Sequence, residues 1–175
     1  MSELAPRPTP PADRATRLVF GPIGLDEAVA LNAAWHSRLP RLDKRVAGWM
    51  CFGATWGGRR YAVAVWGRPV ARLLPQDGSC LELRRFAIGP GAPKNTASRM
   101  LGWMARELAR RGGALRLVSY QDCDAHLGTI YKAAGWVPTV APSGGPWNHA
   151  GRPRAAARIP RKIRWERSLM PKLAA

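Results

Sequence analysis

One stretch of this chain leaves little freedom in how it can fold. Ala97, Met100, Leu101, Met104, Ala105 and Leu108 recur at the three- and four-residue spacing of a single helical stripe. Asn95 or Thr96 can cap the start of this helix, and Gly112-Gly113 can end it. Leu115 to Tyr120 follows at once as a short buried strand. Leu81 to Ile88, upstream of the helix, alternates Leu81, Leu83 and Arg85 against Glu82, Arg84 and Phe86, as a strand does. A strand, a helix and a second strand in that order make a crossover, which joins parallel neighbours.

Other elements assemble around this crossover. Asp26 is placed to cap a first helix running to about Ser37. Trp49 to Trp56 and Tyr61 to Trp66 are rich in aromatic and β-branched residues and are separated by Gly57, Gly58, Arg59 and Arg60, the pattern of a hairpin. Leu73 and Leu74 are expected to end a short strand. Asp122 to His126 reads as a polar loop, Thr129 to Ala134 as a helix stopped by Gly135, and Trp136 and Val137 as the opening of a last strand. The expected fold class is α/β: a twisted mixed sheet with a central parallel strand pair, flanked by helices. One domain is expected over 18–140, after a disordered proline-rich leader at 1–17 and before a Pro/Gly loop and basic tail at 141–175.

The 28 Lys and Arg residues against 11 Asp and Glu give a formal charge of +17. Such an excess favours a polyanionic partner, through steering and counterion release. Residues 151–175 concentrate it, with Arg152, Arg154, Arg158, Arg161, Lys162, Arg164, Arg167 and Lys172 against Glu166. No apolar run approaches the roughly 20 residues that span a bilayer, so no membrane contact and a cytoplasmic location are expected. Cys51, Cys80 and Cys123 have no C-x-x-C spacing. That argues against a disulfide framework and against a zinc knuckle, and leaves at least two of them as core fillers.

Five segments carry a more specific signal: WHSRLPR at Trp35 to Arg41, YAVAVWGRP at Tyr61 to Pro69, ELRRFAI at Glu82 to Ile88, PKNTASRML at Pro93 to Leu101, and SYQD with HLGTIYKAAGW between Ser119 and Trp136. In these the chain resembles the phage Mom-type DNA adenine-modification family, within the GNAT acetyltransferase superfamily. The resemblance implies an acetyltransferase-like fold, and conversion of adenine in DNA to carbamoylmethyl-adenine, which protects phage DNA from restriction. It places functional positions on Arg85, Ser98, Asp122 and Tyr131, with His36 in the WHS motif. DNA and a small-molecule group donor would be the partners.

The residue types themselves admit these roles and plainer ones. Asp122 follows a strand and could act as a base toward an adenine amino group, or could cap its own loop. Tyr131 could donate a proton or stack on a flipped base, or be a core tyrosine. Arg85, if inward, needs an anionic partner such as Asp122 or a substrate group. Ser98 could bind a small anion at a helix start or be a local cap. His36 could be a general base or a helix-end histidine. His36, His126 and Asp122 would form an iron site of two histidines and a carboxylate only if the fold gathers them.

Lys94, Asn95, Thr96 and Ser98 occupy the place where acyl-CoA enzymes of the superfamily cradle a pyrophosphate on free backbone N–H groups. Pro93, Thr96 and Ser98 stand where those enzymes have Arg or Gln and small residues, so the cofactor remains undefined, with acetyl-CoA or another acyl-CoA and iron as the options. Arg38, Arg41, Arg59, Arg60, Arg158, Arg161, Lys162 and Arg164 are the candidate phosphate contacts. Trp147 and Trp165 could stack on an extruded base or pack in the core. Two other functions fit the same residues: an acetyl-CoA-dependent N-acetyltransferase on a small amine or protein, and a non-catalytic DNA-binding protein of the same fold.

Overall fold

A computed structural model describes residues 18–43, 48–139 and 162–169. The first strand, β1 (Val19–Pro22), is followed by helix α1 (Leu25–Trp35), the hairpin β2 (Met50–Trp56) and β3 (Arg59–Gly67), strand β4 (Cys80–Ile88) and helix α2 (Thr96–Arg111). Then come β5 (Arg116–Asp122), α3 (Thr129–Ala133), β6 (Val137–Thr139) and β7 (Lys162–Ser168). The seven strands lie in the order β1-β2-β3-β4-β5-β7-β6. The β4–β5 pair is parallel, with a register from Cys80–Arg116 to Leu83–Ser119, while β1–β2, β2–β3, β5–β7 and β6–β7 are antiparallel. The mixed sheet with its parallel crossover is therefore as expected.

The chain divides into two compact units, Met1–Gly67 with Arg84–Trp103, and Arg68–Leu83 with Met104–Ala175. In the first, Ala28, Cys51, Val63, Val65 and Ala87 form a core against which Ile23, Leu25, Leu31, Trp35, Leu42 and Trp49 pack. Both faces of β3 are buried, because Tyr61 through Gly67 are all covered. In the second, Leu74, Cys80 and Val118 cluster with Ala71. Cys51 and Cys80 are buried free thiols, and burial pushes the Cys51 thiol up to about 11.

The stripe on α2 is buried as its spacing predicts: Met100, Leu101, Met104, Ala105 and Leu108 are all covered, and Ala97 partly so. Its end is a left-handed turn at Gly112 (φ 77°) and Gly113 (φ 83°), where the Gly112 N–H donates to Ala109 O.

Four elements differ from the sequence reading. Helix α1 starts one residue before Asp26, with Gly24 at the N-cap and no side-chain cap, so Asp26 serves as a first-turn acid facing the helix dipole. No strand ends at Leu73 and Leu74. That segment is a series of turns held by the Gln76 amide, which donates to the carbonyls of Pro69, Ala71 and Leu74. β1 was not foreseen, since four residues with Gly21 and Pro22 give little alternation to read. Nor is β6 the last strand, because Lys162–Ser168 of the basic segment forms β7 between β5 and β6.

Removing one large side chain from the α2 stripe tests this packing. Leu101→Ala should destabilise the protein by about 2–5 kcal/mol, seen as a lowered midpoint in denaturant unfolding followed by circular dichroism. A loss under about 0.5 kcal/mol, the size of a surface substitution, would contradict the buried stripe.

Candidate active site

In the first unit the WHSRLPR and ELRRFAI segments, more than forty positions apart in the sequence, are tied together. Asn32, fully buried in α1, donates through its amide to Leu39 O and Pro40 O, both at 2.9 Å, and so folds the chain back after the helix. His36 stands at the C-cap of α1, where Nδ1 accepts the backbone N–H of Arg38 (3.4 Å) and Leu39 (3.2 Å). The ring proton of the neutral imidazole is then on Nε2. Arg85 is half-buried, and its guanidinium donates to Arg84 O (2.7 Å) and Arg41 O (3.0 Å). Two backbone carbonyls thus hold the guanidinium. The Trp35 ring lies against Gly89, where an added Cβ would come within 2.9 Å of it.

The start of α2 holds Lys94, Asn95, Thr96 and Ser98. Asn95 has φ 63°, a left-handed conformation that asparagine tolerates. The Thr96 hydroxyl is buried and donates to Pro93 O (2.6 Å), and its backbone N–H points to the same oxygen (3.3 Å). Ser98 Oγ donates to Asn95 O (3.2 Å). Ala92 N–H bonds to Gly89 O (3.3 Å) and Pro93 carries no N–H. The Ala92 and Thr96 N–H groups are thus turned onto the loop's own carbonyls, whereas the first-turn N–H groups of α2 have no partner within the helix.

In the second unit, β5, α3 and β7 build a buried polar cluster. Side chains alternate along β5, so Leu117, Ser119 and Gln121 share one face and Val118, Tyr120 and Asp122 the other. Tyr131, on α3, lies on the Ser119 side, and its hydroxyl meets Ser119 Oγ at 2.9 Å. Its ring stacks on Trp165 (centroids 5.3 Å, planes 12° apart) and meets Trp136 edge-on at 5.7 Å. The Trp165 indole N–H donates to Gln121 Oε1 (2.7 Å), and the Gln121 amide donates to His126 O. Burial pushes the Tyr131 hydroxyl above the ordinary tyrosine range, against a smaller opposite effect of the Ser119 bond.

Asp122 ends β5 on the other face. Its carboxylate accepts the Asp124 N–H (3.0 Å), and its carbonyl accepts the N–H groups of Ala125 and His126, so it does cap its loop. Tyr120 on that face titrates above its ordinary value through burial and the nearby Glu82, opposed by Arg164. Glu82 is a buried carboxylate the sequence reading left without a role. It accepts the Val70 N–H at 2.8 Å. Its alternation with Leu81 and Leu83 put it on the outward face, whereas Glu82 and Leu83 are both buried.

Among the described residues, no three His, Cys, Asp or Glu side chains gather as a metal site, so His36, Asp122 and His126 receive no support as an iron triad. Of the candidate phosphate contacts, Arg38, Arg41 and Arg59 are exposed. The Arg60 guanidinium is engaged by Glu27 (2.6 and 3.1 Å) and Thr55. Arg164 bonds Glu166 (2.8 Å) and Thr139 (3.1 Å), while Lys162 on the same strand is exposed. Trp165 is buried in the core and not presented for base stacking. Arg158, Arg161 and Trp147 lie outside the described residues.

Residues 17–143 match the model of the Mom protein family. The chain belongs to that family. The motifs quoted above for the Mom resemblance all fall inside the matched span. No curated protein matches the chain. Solved structures share its fold: a Bacillus subtilis acetyltransferase in complex with CoA has 12% identity over 87% of this chain and 98% of its own, with a TM-score of 0.62. The ribosomal-protein-alanine N-acetyltransferase of Escherichia coli has 14% identity over 90% and 99%, with a TM-score of 0.61. The spermidine N-acetyltransferase of Vibrio cholerae, in complex with CoA and spermine, has 8% identity over 88% and 96%, with a TM-score of 0.62. The Mom family chain thus has the acetyltransferase fold. No helix among the described residues is long and apolar enough to cross a membrane.

The raised Tyr131 hydroxyl has a pH signature. A group whose folded-state pKa lies above its unfolded value of about 10 adds stability that is complete below that value and is lost as pH rises toward the folded one. Tyr131→Phe should therefore remove part of the stability loss above pH about 10, read as a shallower fall of the melting temperature in alkaline buffers. Identical alkaline slopes in parent and variant would contradict the buried assignment.

Proposed function

We propose that this Mom family protein is a transferase that modifies adenine in DNA, converting it to carbamoylmethyl-adenine and so shielding phage DNA from restriction. The observation that carries the reading is the buried Tyr131–Ser119 hydroxyl pair beside the C-terminal end of β5, in a family member with a charge of +17. Ligands of open α/β sheets bind at the carboxyl ends of parallel strands. Asp122, at that end, is the group to accept a hydrogen bond or proton from the adenine amino group, and Tyr131, on the other face of β5, is the second candidate, a proton donor through its hydroxyl. Arg85, Ser98 and His36 are the family's further candidate positions. The adenine amino group is paired in a duplex, so the base must be flipped or the strand single.

DNA is held, in this reading, by Arg38, Arg41, Arg59, Arg158, Arg161 and Lys162, which fix phosphates and read no sequence. Arg60 and Arg164 add less, being engaged by Glu27 and Glu166. The group donor is a small molecule, and no step is assigned to acyl-CoA, because Pro93, Thr96 and Ser98 stand where acyl-CoA enzymes have Arg or Gln and small residues. An acetyl-CoA-dependent N-acetyltransferase is the second reading, favoured by the shared fold. A thermal-shift titration with acetyl-CoA separates the two, since specific binding stabilises the folded protein.

Asp122→Asn and Tyr131→Phe should each lower adenine modification by about 10²–10⁴-fold, measured by mass analysis of nucleosides from expressing cells, with DNA affinity unchanged. Parent-level modification in both variants would remove these residues from the site. Unmodified DNA with the parent protein, in cells also supplied with the phage's other genes, would end the reading itself.

The triple change of Arg158, Arg161 and Lys162 to Gln should flatten the slope of log affinity against log salt by up to about 2.7, at about 0.9 per lost phosphate contact. An unchanged slope in filter binding would take these residues out of the interface. Substitution is the sound design here. Deleting the segment would also remove β7.

A further inference from the structure

The family match ends at residue 143, yet the ring behind Tyr131 comes from β7, at Trp165. We infer that Trp165 is a positioning residue for Tyr131, which makes the basic C-terminal strand part of the site and not only a phosphate contact. The inference rests on the reading of Tyr131 under the proposed function.

Tyr131 is fixed from three directions. Ser119 holds the hydroxyl, Trp136 meets the ring edge, and Trp165 covers the face with planes 12° apart. A tyrosine needed only for packing requires no such orientation, because aromatic pairs in cores accept a wide range of offsets and tilts. The indole is itself oriented. Its N–H is committed to Gln121 Oε1 at 2.7 Å, and the other end of that amide holds His126 O in the loop that follows Asp122. One side chain thus couples the tyrosine to the loop carrying the candidate base.

Gly128 shows how closely this loop is drawn in. It opens α3 at φ 73°, and an added Cβ would stand 2.4 Å from Gln121 Oε1 and 2.7 Å from the Trp165 ring. Only glycine allows the amide and indole to close on the chain there. The register adds the link to DNA. Trp165 pairs with Ser119, and Lys162, three residues earlier on the same strand, pairs with Asp122 and is exposed. A phosphate held by Lys162 would load the strand that carries the indole.

The test compares Trp165→Phe, which keeps a stacked ring, with Trp165→Leu, which does not, in the full-length protein. Adenine modification, DNA affinity and melting temperature are measured, together with the titration of Tyr131 by NMR of ring-labelled tyrosine, its signal assigned with Tyr131→Phe. The Phe variant should stay within about threefold of the parent in modification and keep the raised titration. The Leu variant, at a temperature where it is folded, should lose about tenfold or more, with unchanged DNA affinity and a Tyr131 titration moved toward the ordinary value. If Trp165→Leu does not fold, Gln121→Met cuts the indole bond without opening a large void and should move the same two readouts. Parent-like modification and titration in the Leu or Met variant would overturn the inference, as would equal damage in Phe and Leu. Should the parent chain modify no DNA, the proposed function fails, and the titration still decides whether Trp165 positions Tyr131.

Discussion

The second unit depends on the pairing of β7 with β5. Seven residue pairs, from Arg116–Ser168 to Asp122–Lys162, join a strand at the crossover to a strand near the end of the chain. That pairing buries Trp165, satisfies its indole N–H on Gln121 and gives Tyr131 a ring to stack on. A buried polar group that found no partner there would cost about 1–3 kcal/mol, so the Gln121 amide and the indole hold each other in place. Without β7, Gln121 and Tyr131 would lose the indole that they contact.

The first unit is organised by a different constraint, the closing of the segment after α1. Asn32 takes two carbonyls from Leu39 and Pro40, His36 Nδ1 takes two backbone N–H groups, and Arg85 takes Arg41 O. Two of the family-like residues, His36 and Arg85, therefore serve the backbone, as does Asn32. Such contacts do not conflict with chemistry, since the His36 Nε2 position and the exposed Arg38 and Arg41 lie at the same turn. Each unit thus fixes its own part of the family's motif set through side-chain to backbone bonds, which order loops that have no regular structure.

Charge had two fates that composition alone does not separate. Arg60, Arg110, Arg111 and Arg164 are spent on Glu27, Glu107 and Glu166. Glu107 lies at the second of these sites and its carboxyl is held at about 2 by Arg110 and Arg111, an exposed helical pairing. Arg38, Arg41, Arg59 and Lys162 stay exposed. The net charge of +17 is therefore a measure of attraction at long range, and it overstates the number of cations outside these pairs.

Periodicity in the sequence determined the crossover. The α2 stripe, the Gly112-Gly113 stop and the strands on either side follow from local spacing, and the Mom-like segments followed from residue identity. The hairpin was legible for the same reason, since both its strands and its turn are continuous in sequence. What only the tertiary structure decided lies where partners are distant. Lys162–Ser168 reads as a basic tail because five of its seven residues are Lys, Arg, Glu or Ser, and its single tryptophan becomes a core residue only once β5 offers Gln121 and Tyr131. Glu82 is likewise inward because the Val70 N–H waits for it across a turn, and Arg60 is spent because Glu27 stands on α1. Alternation and helical spacing are carried by neighbours in the chain, whereas the satisfaction of a buried polar group is carried by whatever the fold brings beside it.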